Sequence, residues 1–230
     1  MLILFASTTV LSLWAMYRVK SVYNRFSEIP ASSGASGAEV AAAILDRAGI
    51  HDVSIVEIDE MLGDHYDPSE KRLVLSSQNY HGRSLAALGV SAHECGHAIQ
   101  HKIAYAPLHW RMAAVGITTF ANQILMWLPL IGIFTGLIKP YTAAWILSLA
   151  WGVIMAFNLI TLPVEFDASR RAKLILADMG FIGTPAEIEG VKKTLDAAAW
   201  TYVAAFLTSL GYFLYHLLPL ILGGNRRSDD

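Results

Sequence analysis

The chain has 230 residues, 54% of them hydrophobic and 16% charged, with a formal net charge of −2 and a single cysteine. Soluble domains carry roughly 25% charged residues, so the deficit points to a membrane protein. The near-neutral balance gives no sign of a nucleic-acid binder, and the single Cys95 excludes an internal disulfide, in keeping with a reducing compartment.

Leu2 to Tyr17 is free of charge. As a helix it would be about 24 Å long, a little under a bilayer core. It lacks a basic n-region and a small-x-small cleavage site before Arg18, so residues 1–17 read as a first transmembrane helix rather than a signal peptide. A Ser/Gly-rich link, Ser32 to Gly37, leads to a predicted helix over Gly37–Ala48. Ser36 and Glu39 start it with capping-box spacing and Gly49 ends it. Val53 to Ile58 alternates and is β-branched, which predicts a strand. Tyr66-Asp67-Pro68-Ser69 predicts a turn before a second strand, Arg72 to Ser76. Within that strand, Leu73-Val74-Leu75 is a candidate edge for pairing with an extended peptide. Ser84 caps a helix predicted to run through His93 and His97 to about Lys102, and Pro107 lies beyond its end.

Three later stretches carry no charged residue: Met112 to Ile138, Tyr141 to Val164 and Ala197 to Asn225. Each exceeds the roughly 20 residues that cross a bilayer core as a helix. Transmembrane helices are therefore predicted at 112–138, 141–163 and 197–223. Pro163 suits a helix start or a break between the third span and a polar helix that ends at Gly180. Thr184-Pro185-Ala186-Glu187 combines an N-cap, an N1 proline and a capping-box glutamate, and starts a long helix feeding the last span. The fold class is thus an α-rich integral membrane protein of about four transmembrane helices with a small α+β domain. Four spans put residues 18–111 and 164–195 on one side. All but three of the 17 lysines and arginines lie there, the exceptions being Lys139, Arg226 and Arg227. The positive-inside rule makes that side the cytoplasm, in a multi-pass protein of the cell (inner) membrane.

His93-Glu94-Cys95-Gly96-His97 reads H-E-x-x-H. On a helix, residues four apart share a face, so His93 and His97 can hold one zinc ion together. Glu94 is turned aside but stays close enough to serve as general base toward the water that zinc activates. Gly96 allows close packing beside the metal, and Cys95 points away as a small buried residue. A hydrolytic zinc needs a third protein ligand. His101 shares the helix face of His97, but His93 to His101 spans about 12 Å, too far for three bonds of about 2.1 Å to one ion. His109, beyond the helix, stays open as a candidate. Glu165 is the best candidate: a carboxylate in the first turn of a later helix beside a span needs a partner. Two His on one helix and a Glu on another is the gluzincin arrangement.

The chain resembles the YugP-like family of bacterial membrane zinc metallopeptidases. The resemblance runs nearly end to end. It includes Ser12-Leu13-Trp14-Ala15, Arg18-Val19-Lys20-Ser21, Gly37-Ala38-Glu39, Asp64-His65-Tyr66-Asp67-Pro68 and the H-E-x-G-H-A-I-Q-H run from His93 to His101. It continues through Leu162-Pro163-Val164-Glu165-Phe166-Asp167-Ala168-Ser169-Arg170-Arg171-Ala172 and Ala198-Ala199-Trp200-Thr201-Tyr202-Val203-Ala204. A looser resemblance to HtpX-type membrane proteases points the same way. It implies a multi-spanning zinc peptidase, with Zn2+ on His93, His97 and Glu165, a gluzincin-like cytoplasmic domain, and protein or peptide substrates at the lipid bilayer. In gluzincins and HtpX-like proteins an Asp often follows the ligand Glu by four residues and orients a zinc-binding His; here that position is Ser169. The supporting partner is therefore Ser169, or Asp167 through a distorted first turn.

The reading is a zinc-dependent endopeptidase with Glu94 as general base, cleaving membrane or membrane-proximal proteins. His65, Tyr66, His81, Arg170 and Tyr202 are candidates for stabilising the oxyanion. Asn122, Gln123, Asn158 and His216 sit within spans and are candidates for bonds between helices. The alternative is a zinc-binding membrane scaffold or chaperone-like protein without proteolysis, against which the presence of Glu94 argues. A histidine-box oxidase needs several His clusters, and a transporter needs charges at mid-membrane depth; the chain has neither.

Overall fold

The computed structural model describes residues 1–60, 63–136 and 138–223. Leu137 of the second predicted span, Asn225, Arg226 and Arg227 lie outside them. In chain order the elements are α1 (Leu2–Ser27), α2 (Gly37–Arg47), β1 (Ser54–Ile58), β2 (His65–Asp67), β3 (Arg72–Ser76) and α3 (Ser77–Tyr80). Then follow α4 (Leu85–Lys102), α5 (Ala106–Thr135), α6 (Pro140–Asp178) and α7 (Pro185–Gly223). Helices dominate and there is one small sheet. Among the described residues four helices, α1, α5, α6 and α7, are long and apolar enough to cross a membrane. Large apolar side chains on them lie open, such as Leu2, Ile3, Phe120, Leu149 and Leu222. A bilayer supplies the apolar surroundings that such surfaces lack in water.

Tyr66 and Asp67, expected in a turn, belong instead to β2, and two further departures concern these elements. Pro163 neither starts nor breaks a helix, because α6 runs unbroken from Pro140 to Asp178 with Pro163 inside it. An interior proline removes one backbone donor and costs about 3 kcal/mol in an isolated helix. Here the flanking turns are held by packing, with Val164 and Ala168 fully buried. The second departure is in the sheet. Its order is β1-β3-β2, so β3 is the central strand, with β1 parallel on one side and β2 antiparallel on the other. Leu73, Val74 and Leu75 are therefore not an edge available to a peptide. Successive side chains of a strand point to opposite faces, so the burial of three in a row means that both faces of β3 are covered.

The chain divides into two compact units. The first takes Met1–Leu13, Trp110–Leu162 and Tyr202–Asp230. Its α6 and α7 segments are joined by stacked Trp151 and Tyr212, ring centroids 4.6 Å apart. Asn158 Nδ2 donates across to the Ala205 carbonyl (3.2 Å) and to Ser209 Oγ (3.0 Å), a bond between helices as expected of a polar residue in a span. Gln123 instead accepts from Trp127 Nε1 on its own helix.

The second unit takes Trp14–His109 and Pro163–Thr201. Its core joins Val40 and Ile44 of α2, Leu73 and Leu75 of β3, Leu85 and Leu88 of α4, Leu176 of α6 and Val191 and Leu195 of α7. Each such side chain contributes about 1.5–3 kcal/mol by leaving water. The expected caps are present. Ser36 and Glu39 form a reciprocal capping box on α2, and Thr184 and Glu187 do so on α7. Glu187 also accepts from the Ser32 amide at 2.7 Å, tying the Ser/Gly link to the start of α7. Gly49 and Gly180 end their helices with positive φ, where a side chain would strain the backbone. At the centre lies α4, buried on almost every face.

Candidate metal centre

Helix α4 is built to present one polar face from an apolar body. Ser84 Oγ accepts from the Ala87 amide at 3.2 Å to start it, and Leu85 to Ala92 carry no charge. At its end Ala104 takes a left-handed φ of 53°. This lets the Tyr105 amide reach the Gln100 carbonyl (2.9 Å) and the Ala104 amide reach that of His101 (3.1 Å). Helical spacing puts His93 and His97 together, with ring centroids 4.8 Å apart. Helix α6 crosses directly over them. A Cβ on Gly96 would lie 2.8 Å from the Ala168 carbonyl oxygen and 3.0 Å from its Cα. Only glycine lets the two backbones approach so closely, and that approach brings Glu165 against the histidines.

Glu165 Oε2 stands 3.2 Å from His93 Nε2 and 3.6 Å from His97 Nε2. One ligand atom from each of the three lies within 4.8 Å of the others, and they are the metal-capable group among the described residues. Ligands about 2.1 Å from one ion at tetrahedral angles stand about 3.4 Å apart, so this spacing fits zinc. The donor set fits as well: two imidazoles and a carboxylate, with side chains 13%, 11% and 2% exposed. Burial would raise the Glu165 carboxyl, but hydrogen bonds and charge from His93 and His97 prevail and hold it well below the usual carboxylate range. For His97, burial favours the neutral ring, yet the Glu165 hydrogen bond and the charges of Glu94 and Glu165 prevail and raise it. Glu94 is itself buried, next to His93, and close enough to act on His97 through its charge.

The far sides of both rings are held too. Ser169 Oγ meets His93 Nδ1 at 3.1 Å. Gln100 Oε1 meets His97 Nδ1 at 3.0 Å. Gln100 Nε2 donates to the Val164 carbonyl (2.8 Å) and to Asp167 Oδ2 (3.0 Å). Asp167 in turn receives Arg170 and Arg171, each at 2.5 Å. The choice between Ser169 and Asp167 thus has a divided answer: Ser169 touches His93 directly, and Asp167 reaches His97 only through Gln100. Gln100 was missed by sequence reasoning. Its signal was present, since it follows His97 by three residues and so shares its helix face.

The other histidines are engaged elsewhere. His101 Nδ1 is 2.9 Å from the Tyr66 hydroxyl, and the His109 ring is 6.3 Å from that of His101. Neither joins the group of three. Among the oxyanion candidates, His65 Nδ1 lies 2.7 Å from the Gly63 carbonyl and His81 Nε2 is 3.2 Å from Glu57. Arg170 is held by Asp167, Tyr66 by His101, and Tyr202 lies on α7. Cys95 is fully buried, with Sγ 3.7 Å from the Ala41 carbonyl on the side of α4 facing α2. Burial, with Glu94 nearby, pushes its thiol far up.

Residues 1–221 match a family described as "Putative neutral zinc metallopeptidase". The chain is 42% identical over 214 residues to a protein of Bacillus subtilis (strain 168) named "Putative membrane protease YugP", a match covering 93% of each chain. No solved structure matches it.

Proposed function

This chain belongs to the family of neutral zinc metallopeptidases, and from that premise we propose that it is a membrane-embedded zinc endopeptidase of gluzincin type. His93 Nε2, His97 Nε2 and the Glu165 carboxylate are the metal ligands, and Glu94 is the general base. The observation that carries this reading is the convergence of two buried donors, His97 and Glu165, and the half-buried His93 within 4.8 Å of one another, beside the buried Glu94. Zinc, when bound there, polarises a carbonyl and acidifies water. Glu94 takes the proton of the attacking water on a carboxylate oxygen and returns it to the leaving amine nitrogen. Glu165 neutralises charge at the floor of the site, and Ser169 and Gln100 hold the imidazoles in place. The enclosing helices limit water, which strengthens each of these charges.

Substrates are protein or peptide segments at or beside the membrane. The spans are residues 1–17, 112–138, 141–163 and 197–223. Residues 18–111 and 164–195 face the cytoplasm with the active site, a reading supported by the distribution of Lys and Arg.

The test is Glu94→Gln in the purified full chain, with zinc content and cleavage of an unfolded or membrane protein measured together. The variant keeps about one zinc per chain and loses cleavage. Cleavage at the original rate would remove Glu94 from the mechanism. A wild-type chain that binds zinc and cleaves nothing would favour the scaffold.

A further inference from the structure

We propose that Gln100 is a positioning residue that fixes which nitrogen His97 offers to the metal, through a one-way chain of hydrogen bonds ending on α6. The proposal rests on the metal-site reading above. The Val164 carbonyl accepts hydrogen bonds and cannot donate them, and the Asp167 carboxylate oxygens accept from Arg170 and Arg171. Both lie within hydrogen-bond reach of the same end of Gln100. That end must therefore be the amide nitrogen, because a flipped amide would set oxygen against oxygen twice. The oxygen is then the end that faces His97 Nδ1 at 3.0 Å. An amide oxygen cannot donate, so Nδ1 carries the hydrogen, and in the neutral ring Nε2, on the Glu165 side, is the nitrogen left for a metal. Gln100 is 0% exposed, so water does not substitute for any of these bonds.

His93 is held differently. Its Nδ1 partner is the Ser169 hydroxyl, which can donate or accept and so imposes no direction. The two ligands are thus unequal: His97 is set by the fold, and His93 adapts.

The experiment measures zinc affinity of the detergent-solubilised full chain by competition with a chromophoric chelator, with helical circular dichroism checked for each variant. Gln100→Met keeps the volume and removes the relay; zinc affinity falls 10–100-fold. Gln100→Glu keeps an acceptor toward His97, and its protonated form can still donate to Asp167; affinity lies closer to wild type than that of Gln100→Met. Ser169→Ala loses less than Gln100→Met. In Co2+-substituted protein at saturation the d–d absorption changes in Gln100→Met and stays near wild type in Gln100→Glu. A folded Gln100→Met chain with wild-type affinity, or a loss in Ser169→Ala as large, overturns the proposal. Should Gln100→Met not fold, the pair Gln100→Glu and Ser169→Ala decides, with the larger loss in Gln100→Glu counting against it. A wild-type chain without zinc affinity would instead overturn the metal site itself.

An independent observation lies on α1 and α7. Trp14 and Trp200 meet edge to face with ring centroids 5.8 Å apart. The Arg18 guanidinium lies 5.4 Å from the centroid of the first ring and 5.7 Å from that of the second. Arg18 is the first charged residue of the chain, directly after the apolar Leu2–Tyr17 stretch. Among the described residues it has no carboxylate partner. Trp14 and Trp200 are 44% and 41% exposed. The geometry points to a site for the phosphate of an anionic phospholipid. The rings flank the cation just past the apolar stretch, where an interface would lie, and its N–H fork matches a phosphate. Native mass spectrometry of the full chain, delipidated from nanodiscs containing phosphatidylglycerol, should show retained phosphatidylglycerol that Arg18→Gln loses and Arg18→Lys partly keeps. Millimolar inorganic phosphate should not displace it. Equal retention by Arg18→Gln, or displacement by inorganic phosphate, overturns the site.

Discussion

Gly96 shows how much of a metal centre can hang on a missing atom. A Cβ at that position meets the Ala168 backbone at 2.8 Å, and backbone cannot step aside as a side-chain tip does. Gly96→Ala should therefore force α4 and α6 apart. Overpacking of this kind costs about 1–3 kcal/mol. Thermal unfolding should record that loss, and zinc content should fall with it, because the displaced helix carries Glu165. Glu165→Ala should lose the metal while the apolar core stays folded; full zinc occupancy in that variant would remove Glu165 from the ligand set. Cys95 supplies a check of a different sort. Buried against the Ala41 carbonyl and with its thiolate disfavoured, it should resist maleimide until the protein is unfolded. At this scale the sequence was informative wherever spacing along one helix decides geometry, as for His93, Glu94 and His97. Gln100 escaped because its role depends on what crosses above it. An amide three residues after a histidine is uninformative until Val164 and Asp167 are known to be there.

Among the elements, the start of α7 makes the clearest energetic prediction. Glu187 accepts from the amides of Thr184, Gly183 and Ser32, in that order of influence, and these hold its carboxyl well below the ordinary range. Glu187→Ala should cost about 2 kcal/mol, since hydrogen bonds to a charged group exceed neutral ones. The sign with pH follows from the lowered value. Stabilisation is complete above the unfolded carboxyl pKa of about 4.3 and is lost as pH falls below it, so melting curves between pH 7 and 3 should be less steep in pH for the variant. Ala104 makes the opposite kind of prediction. A left-handed alanine is strained by about 1 kcal/mol, and Ala104→Gly should be neutral to slightly stabilising in the same assay. Helix starts and stops were legible because capping is local chemistry: Ser36 with Glu39, and Thr184 with Glu187, sit within one turn. Strand β2 was not legible, because three residues are too few to show alternation. The central place of β3 was hidden for a related reason, since pairing joins residues far apart in sequence. Pro163 misled because its cost is local while the packing around Val164 and Ala168 is not.

For the whole molecule, the metal would close a loop that sequence distance leaves open. His93 and Glu165 are 72 positions apart, joined through α5 and most of the apolar length of α6. A ligand that binds only the folded chain adds about 4 kcal/mol at a thousand times its dissociation constant. Chelation should lower the melting temperature of the wild-type chain by several degrees. Glu94→Gln should show the same zinc-dependent shift, and Glu165→Ala should show none. The four long apolar helices could be expected from charge-free runs alone, because a bilayer would impose a length on anything that crosses it. That the first unit holds Asn158 against α7 could not be read, since helix rotation within a bundle is set by neighbours.

The same 72-residue separation has a consequence during synthesis of the chain. At about 5–20 residues per second, Glu165 leaves the ribosome roughly 4–14 s after His93. During that interval the nascent chain owns both histidines and the glutamate between them, but no third ligand. The missing carboxylate arrives only once the intervening apolar segments have been made. On the proposed mechanism, a half-synthesised protease is therefore inert toward its neighbours, the translocation machinery included. On that mechanism, cleavage waits until Glu165 has been made and has folded against α4.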